Sequence, residues 1–457
     1  MKTHKLISTV LFAMNLAMAQ TPEEAVTFLE NETGVGIKAQ AMGNAFTAVA
    51  DDYSASYWNP AGLTQLKAHE LSGDLYHLKF SNQATFEGST MNDDRTFTKW
   101  SSIGFAYKFP TTQGSFVMSF GYNRFKDYDS FLNFSGYSLL SNGLEFELED
   151  PEGVFQYYPF DKNVNQTEEI YQDGNLSAWT LAGGVELSPR FALGLTVNFY
   201  SGKSRYLFDF YQDDVNNFYN QYPANYDSYE LHNRIDSEFA GWGVKIGGLF
   251  HINKSFRLGL TLDLPTSLEV SERYSANDIL YFDDAYSSEY DLGSGEWVYL
   301  VNYPYKVSGG IAFDMNTLLV AGSFEYRDWS QVEFDVPDEF EVNEDYDALL
   351  SENQFFSEQF RPVLSYAAGA EFRLPGTGLK LRGGYRYVPS PFIDNDEKLK
   401  RQFYSAGVGF DIDNQATINF GYTIGKWRHS SFDSYTPGGT YEIVKSERFT
   451  AGITYRM

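Results

Sequence analysis

Hydrophobic and polar residues alternate along much of this chain. The clearest case is the segment FTAGITYRM at residues 449–457, whose apolar members are Phe449, Ala451, Ile453, Tyr455 and Met457. Successive side chains of a β-strand point to opposite sides of a sheet. The alternation therefore predicts a strand with one apolar face and one polar face.

The same pattern recurs in about fourteen segments, which is typical of a large barrel. They lie near residues 71–80, 102–109, 115–128, 179–187, 191–199, 242–250, 256–264, 307–313, 318–326, 364–374, 379–387, 404–412, 418–424 and 449–457. Many are about ten residues long, enough for a tilted strand to cross a bilayer.

Short and long connections alternate between these segments. The short ones are turns such as 110–114, 188–190 and 253–255. The long ones are polar and acidic, near residues 81–96, 129–175, 212–235, 276–296, 335–359, 389–400 and 430–441. Even-stranded membrane barrels have short periplasmic turns at one rim and long loops at the other. The predicted fold is therefore all-β, a transmembrane antiparallel β-barrel with long acidic extracellular loops over residues 70–457.

Two segments precede the barrel. Residues 1–19 combine two lysines, an apolar stretch and Ala17-Met18-Ala19, a pattern that predicts a cleaved signal peptide. Residues 20–69 are rich in small side chains, do not alternate, and are interrupted by Gly43 and Pro60. We expect this segment to form an N-terminal plug, or hatch, of short helices inside the barrel.

Composition narrows the choice of function. The 457 residues carry a formal net charge of −27, which argues against nucleic acid as a partner. Aromatic residues make up 18% of the chain, as expected where Tyr and Trp belts meet a membrane interface. The chain has no cysteine, so strand pairing rather than disulfide bonds must hold the fold.

The N-terminal segment also carries a motif. It reads Gly43-x-Ala45, then Ala50-Asp51-Asp52-x-x-Ala55, then Asn59-Pro60-Ala61-Gly62. This run resembles the hatch signature of the FadL/TodX family, outer-membrane transporters of long-chain fatty acids and other hydrophobic compounds. The resemblance implies a fourteen-stranded barrel in the outer membrane of a Gram-negative bacterium. It also implies passive uptake of hydrophobic ligands through a hatch-gated channel, without a cofactor.

Several residues acquire candidate roles from this resemblance. The hatch and gating candidates are Phe46, Asp51, Asp52, Trp58, Asn59, Pro60, Ala61 and Gly62. Gly121 is the candidate for a kink in the third strand, through which ligand would leave sideways; the alternative is a strand glycine packed beneath an aromatic ring. The candidates for loop contacts with ligand are Phe131, Phe134, Tyr137, Leu139 and Leu140; packing of the loops on each other is the alternative.

Other functions remain open. Related barrels serve protein secretion or surface assembly, and a general porin is a further alternative. The expected partners of a hydrophobic channel are its small-molecule ligand, membrane lipid and lipopolysaccharide, and the barrel assembly machinery. No nucleophile elbow or phosphate loop is present, and the histidines, among them His232 and His429, have no metal-site spacing. We therefore expect neither an enzyme nor a metal site.

Overall fold

A computed structural model describes residues 21–29, 33–338, 340, 343–394, 399–413 and 415–457. The predicted signal peptide, residues 1–19, lies outside the described residues. The strands are β1 Glu70–Phe86, β2 Ser89–Phe109, β3 Phe116–Asp127, β4 Ser130–Ser138, β5 Glu145–Glu149, β6 Phe155–Pro159, β7 Val164–Ser188, β8 Phe191–Asp213, β9 Tyr226–His251, β10 Phe256–Asp263, β11 Thr266–Phe282, β12 Ser287–Tyr303, β13 Lys306–Asp314, β14 Leu318–Asp328, β15 Glu333–Asp335, β16 Pro362–Arg373, β17 Leu379–Val388, β18 Arg401–Asp411, β19 Ala416–Ser431 and β20 Thr440–Arg456.

Short helices precede the sheet and interrupt one long loop. Before the sheet lie α1 Pro22–Phe28, α2 Ile37–Ala41, α3 Ala55–Trp58 and the 3₁₀ helix Pro60–Gln65. Within the later chain lie the 3₁₀ turn Trp329–Gln331, α4 Glu344–Ser351 and α5 Asn353–Gln359. In the part of the chain described, no helix combines the length and the apolar character needed to span a membrane.

The strands close into a barrel of fourteen antiparallel wall strands, as the sequence predicts. Closure comes from β1, which pairs with β2 on one side and with β20 on the other. Four wall strands are each built from two consecutive elements: β3 with β4, β10 with β11, β12 with β13, and β14 with β15. The hairpin β5–β6 stands apart as a two-stranded sheet.

The two rims of the barrel differ. Short turns join strands at one rim, including residues 189–190 and 315–317. At the other rim the strands themselves are long, and two of the predicted loops are paired strands. The 81–96 region is a hairpin that turns at Glu87 and Gly88, and the 276–296 region turns at residues 283–286. One face of each extension is still buried, with Ala84 and Phe86 on β1 and Leu280 and Phe282 on β11, so pairing and burial both continue beyond the apolar band.

The outer face of the wall carries the predicted apolar band. On β20, Phe449, Ile453 and Tyr455 are exposed, and on β10 Leu260 and Leu262 are exposed. The inward neighbours are buried, among them Val117, Leu319 and Tyr200. A sheet with its large apolar side chains outside is the reverse of a soluble barrel and matches a lipid-facing wall.

Residues 33–66, here called the lumen segment, fill the inside of the barrel at the level of the short turns. Ala39, Phe46 and Leu63 of this segment are fully buried in one apolar cluster with Val117 and Leu319 of the wall. The helix α1 lies on the side of the lumen segment that faces away from the short turns. Tyr128 donates a hydrogen bond to the Phe28 carbonyl oxygen at 3.1 Å, and Tyr303 donates one to that of Ala25 at 2.6 Å.

Candidate functional site

Inward-facing glycines let the lumen segment lie directly on the wall. A Cβ added to Gly259 would come 2.2 Å from the Thr47 carbonyl oxygen, and one added to Gly369 would come 2.2 Å from that of Met42. Such separations are impossible for a real side chain, so only glycine allows this approach. The same holds, with an added Cβ under 3.0 Å from the segment, at Gly104, Gly121, Gly184, Gly194, Gly247, Gly384 and Gly407.

Sequence analysis missed this set of glycines, which we call the glycine belt. The signal was available, because the belt occupies the register opposite the lipid-facing residues in strand after strand. In β10, for example, Gly259 lies between Leu258 and Leu260. Glycine in a strand interior marks close approach of another backbone.

Asp51 pairs with Lys38 inside the lumen segment, and Lys38 also approaches the barrel wall. The ammonium group of Lys38 lies 2.7 and 2.8 Å from the two carboxylate oxygens of Asp51, and 4.0 Å from Glu371 of β16. Glu371 in turn accepts a hydrogen bond from Arg382 at 2.7 Å. Burial alone would raise the pKa of Asp51, but the adjacent Lys38 outweighs it, so the pKa lies below its ordinary value.

Asp52 has a different role from its neighbour. Its carboxylate accepts hydrogen bonds from the backbone N–H and the hydroxyl of Ser54, at 2.9 and 2.6 Å. This arrangement fixes the turn that leads into α3. Burial and the charge of Asp51 raise the pKa of Asp52.

The Asn59-Pro60-Ala61-Gly62 motif forms the junction between α3 and the following 3₁₀ helix. Asn59 accepts from the Ala61 N–H at 3.2 Å and donates to the carbonyl oxygens of Thr47 and Gly248, at 2.9 and 3.0 Å. Gly248 belongs to β9, so this side chain ties the segment to the wall. Gly62 meets the Ala50 backbone so closely that an added Cβ would lie 2.2 Å from the Ala50 oxygen.

The two aromatic hatch candidates lie in the same segment. Phe46 is fully buried, and its ring lies edge-on to that of Trp58 with 6.4 Å between centroids. The indole N–H of Trp58 donates to the Val35 carbonyl oxygen at 2.7 Å. All eight predicted hatch residues therefore lie in the lumen segment, where Asp51, Asp52 and Trp58 are half-buried and the other five are buried.

Gly121 lies in regular pairing. It is opposite Gly104 of β2 and Thr180 of β7, and the hydroxyl of Tyr53 packs on it. The irregularity in this strand comes later, where the register against β7 shifts between Arg124 and Lys126. Gly121 thus lies beneath the Tyr53 hydroxyl, and the register shift begins three residues further on.

Pairing of β2 with β3 ends at Ser102 and Asn123. Beyond that level, side chains connect β2 to the following strand. Lys99 forms an ion pair with Asp129, and the guanidinium of Arg95 lies 5.0 Å from the ring centroid of Phe131. This is the place in the third wall strand where the sheet is interrupted.

The predicted loop contacts divide into two groups. Phe131 and Phe134 are buried, packing on Phe80 and Phe86 of β1 with ring centroids 5.4 and 4.7 Å apart. Tyr137, Leu139 and Leu140 are exposed. The first group has the packing role considered as the alternative, and the second remains available to a ligand.

A cavity lies beside the lumen segment, on the side facing α1. We call it the upper cavity. It is lined by Leu29, Tyr57, Phe125, Asn198, Tyr200, Gly243, Val244, Lys245, Asp263, Leu264, Thr266, Tyr303, Pro304, Lys306, Glu325, Arg327 and Trp329. The lining thus combines aromatic side chains with five charged ones, Lys245, Asp263, Lys306, Glu325 and Arg327.

The charged groups of the upper cavity form a chain along its wall. Asp263 lies 3.3 Å from both Lys245 and Lys306, and Lys306 lies 3.4 Å from Glu325. Arg327 stacks on Trp329, with its guanidinium carbon 4.9 Å from the ring centroid. Among the described atoms, Nε of Arg327 has no hydrogen-bond partner. Three cations thus accompany two carboxylates, leaving a positive excess.

The acidic and histidine side chains of the described residues bear on whether the protein has a metal site. Those described side chains include no group of three or more placed to hold a metal ion. His232 lies 2.6 Å from Asp209, and His429 lies 3.3 Å from Glu442. Both pairs lie on strand extensions beyond the apolar band, away from the upper cavity.

Comparisons with known proteins agree on the architecture. The crystal structure of a Pseudomonas aeruginosa FadL homologue superposes with a TM-score of 0.60 at 11% identity, covering 94% of this chain and 99% of that one. The Pseudomonas putida toluene transporter TodX gives 0.59 at 13% identity, over 93% and 99%. The Ralstonia pickettii toluene transporter TbuX gives 0.55 at 15% identity, over 93% and 99%. At such identities the likeness establishes the fold alone.

The family comparison is more specific. No curated protein matches the sequence significantly. A family model described as outer membrane protein transport protein (OMPP1/FadL/TodX) matches residues 175–456. Proteins of that family are outer-membrane channels for hydrophobic compounds and not enzymes. Since the match spans more than half of the chain, this protein belongs to the OMPP1/FadL/TodX family of outer-membrane transport proteins.

Proposed function

We propose that this protein takes up amphiphilic hydrophobic molecules such as long-chain fatty acids, by passive diffusion through a barrel that its own N-terminal segment closes. The observation that carries the proposal is the upper cavity, which joins an aromatic wall to a positive excess of charge. Tyr200, Tyr303 and Trp329 offer surface to an acyl chain. Lys306 and Arg327 offer donors to an anionic head, and charge-assisted hydrogen bonds of this kind are the strong ones.

The cationic side chains favour an acid over a neutral hydrocarbon. A neutral aromatic ligand would leave Arg327 Nε without a hydrogen-bond partner, and an unsatisfied buried donor costs about 1–3 kcal/mol. A carboxylate would satisfy it and balance the excess charge. The protein as a whole has a net charge of −27, so the positive excess in the cavity is opposite in sign to the chain as a whole. An anionic ligand would account for it.

We further propose that residues 20–69 act as the hatch. The glycine belt, the hydrogen bond of Asn59 to Gly248 and the approach of Lys38 to Glu371 hold this segment against several strands at once, so removing it whole would break many contacts together. Small shifts of Phe46, Trp58 and the Asn59–Gly62 turn are the form of gating that such packing permits. Ligand then leaves past the shifted hatch or sideways, where β2 and β3 part beyond Asn123.

The remaining partners follow from the surface. The exposed apolar band faces membrane lipid, and the acidic strand extensions beyond it would meet lipopolysaccharide through shared cations. The barrel assembly machinery is the expected route of insertion.

Binding to purified protein tests the cargo. We expect a long-chain fatty acid to bind more tightly than the fatty alcohol of equal length, and Arg327→Met to remove most of that preference. Arg205→Met is the matched control, because Arg205 lies on an exposed strand extension and pairs with Asp236 there. Equal affinity for acid and alcohol in the native protein would contradict the proposal.

Deleting residues 21–63 tests the hatch. The native protein, reconstituted in a planar bilayer, should conduct few ions, and the deletion variant should open a large, steady conductance. A secretion or docking platform would keep its partner after the deletion. An equally closed barrel without the segment would remove the hatch from the account.

A further inference from the structure

The wall has a second interruption, on a different side from the strand-3 irregularity. Asp263 of β10 pairs with Lys306 of β13, and Thr266 of β11 pairs with Tyr303 of β12. Pairing stops between these two levels and resumes in the same register. The residues passed over include Pro265 on one strand and Pro304 on the other.

Two prolines account for the interruption. Proline has no backbone N–H, so it cannot donate to a ladder, and it is normally confined to edges and bulges of a sheet. Here Pro265 and Pro304 lie opposite one another, so the loss of donors is doubled at one level. Leu264 and Pro265 are both exposed, although strict alternation would turn one of them inward.

The next wall strand is interrupted at the same level. β14 ends at Asp328, the 3₁₀ turn Trp329–Gln331 follows, and β15 begins at Glu333. Three neighbouring wall strands therefore lose regular pairing together. From the strand-3 interruption they are separated by β7, β8 and β9.

The upper cavity reaches this interruption. Leu264, Thr266, Tyr303, Pro304 and Trp329 all line it, and they come from the broken ends of the three strands. Leu264 also belongs to the outer surface, where 37% of it is exposed, and Tyr305 beside it is 41% exposed. The cavity lining and the lipid-facing surface therefore share residues here.

Charged side chains lie beside the same interruption of pairing. Lys306 is the first residue of β13 and Asp263 the last of β10, so the ion pairs of Lys306 with Asp263 and Glu325 lie just inside the break. Arg327 lies one step further along the wall, on Trp329. A molecule crossing here would meet apolar side chains outside and cationic groups inside.

We propose that the break at Pro265 and Pro304 is a side port between the upper cavity and the membrane for single-chain amphiphiles with an anionic head. The head lies against Lys306 and Arg327, and the acyl chain passes between Leu264 and Tyr305 to the lipid. This inference rests on the proposed function and adds a route to it. The port and the strand-3 interruption give the cavity two separate sides open to exchange.

Single cysteines test the port, since the native chain has none. Leu264→Cys places a thiol at the port, and Leu260→Cys places one on the same lipid-facing strand below it. Each is modified with a bulky maleimide, and uptake of a labelled long-chain fatty acid by cells is measured. We expect the label at position 264 to lower uptake severalfold and the label at position 260 to leave it unchanged. Equal uptake by the two labelled proteins would overturn the port.

Restoring the ladder is an independent test. Pro265→Val with Pro304→Val supplies both missing N–H groups, and the register already matches on either side. Correct assembly is checked by heat-modifiable migration of the barrel, with Pro375→Val in a short turn as the control. Uptake should fall in the double variant alone; native uptake by it would refute the port. Absence of uptake by the native protein would instead refute the proposed function, and the port with it.

Discussion

At the scale of single residues, Asn59 connects the lumen segment both to itself and to the wall. Its three hydrogen bonds join the 3₁₀ helix, the turn at Thr47 and the wall at Gly248. We expect Asn59→Ala to weaken seating of the segment by about 1–3 kcal/mol, because two buried carbonyl groups lose their donor. Hydrogen exchange of residues 44–66 measures the effect.

Asn59→Asp serves as the comparison for that prediction. It keeps the oxygen that accepts from Ala61 and removes the donors to Thr47 and Gly248. If exchange in Asn59→Asp equals that of the native protein, the helix-start bond alone matters and the tie to the wall does not.

Glu24 gives α1 a pH dependence. Burial in the lumen, and then the charges of Glu272 and Glu23, raise its pKa from 4.5 to about 8. The docked state holds a proton that the released state has lost, so docking is most favourable at low pH and weakens as pH rises through about 8. A spin label at Thr27→Cys should become more mobile over this range, and Glu24→Gln should abolish the change. Constant mobility in the native background would contradict this.

Residue roles were only partly accessible from sequence. Asp51, Asp52 and the Asn59 turn could be predicted because they belong to a short sequence motif that resembles the hatch signature of the family. Arg327 was not found, since its meaning depends on Trp329 and on ion pairs from other strands. Gly121 was noticed as a strand glycine, but its reason for being glycine is the ring of Tyr53, from a distant part of the chain.

At the scale of elements, the glycine belt decides where the lumen segment can lie. Gly369→Val would set a side chain 2.2 Å from the Met42 oxygen, an overpacking that costs about 1–3 kcal/mol. Gly322→Val is the matched control on the adjacent strand, where an added Cβ meets its nearest neighbour at 3.8 Å. We expect limited proteolysis to cut residues 33–66 in the first variant and to spare them in the second. Equal protection in both would show that the belt does not hold the segment.

Strand positions were predictable because lipid on one side and a polar lumen on the other impose a period of two. The fourteen wall strands follow from that. The sequence predicts loops where the hairpin extensions of β1–β2 and β11–β12 lie, since polar side chains on both faces of these strands obscure the period of two while backbone pairing persists. No local sequence pattern marks the interruption of pairing at Pro265 and Pro304. It becomes apparent only when strand pairing places the two prolines opposite each other.

At the scale of the whole molecule, the fold is a membrane cylinder with a closed inner end and a charged, aromatic cavity behind it. The lumen segment, seated on the glycine belt, fills that end. The cavity lies beside it, where three wall strands lose pairing at one level. Both features fit the proposed function, a channel that passes hydrophobic molecules while its N-terminal segment excludes bulk water and ions.

Uptake of a labelled long-chain fatty acid, compared between cells that carry the gene and cells that lack it, tests this account most directly. The account predicts faster uptake with the gene, a larger effect for the acid than for the alcohol of equal length, and loss of that difference in Arg327→Met. Equal uptake with and without the gene, for every hydrophobic compound tried, would contradict it.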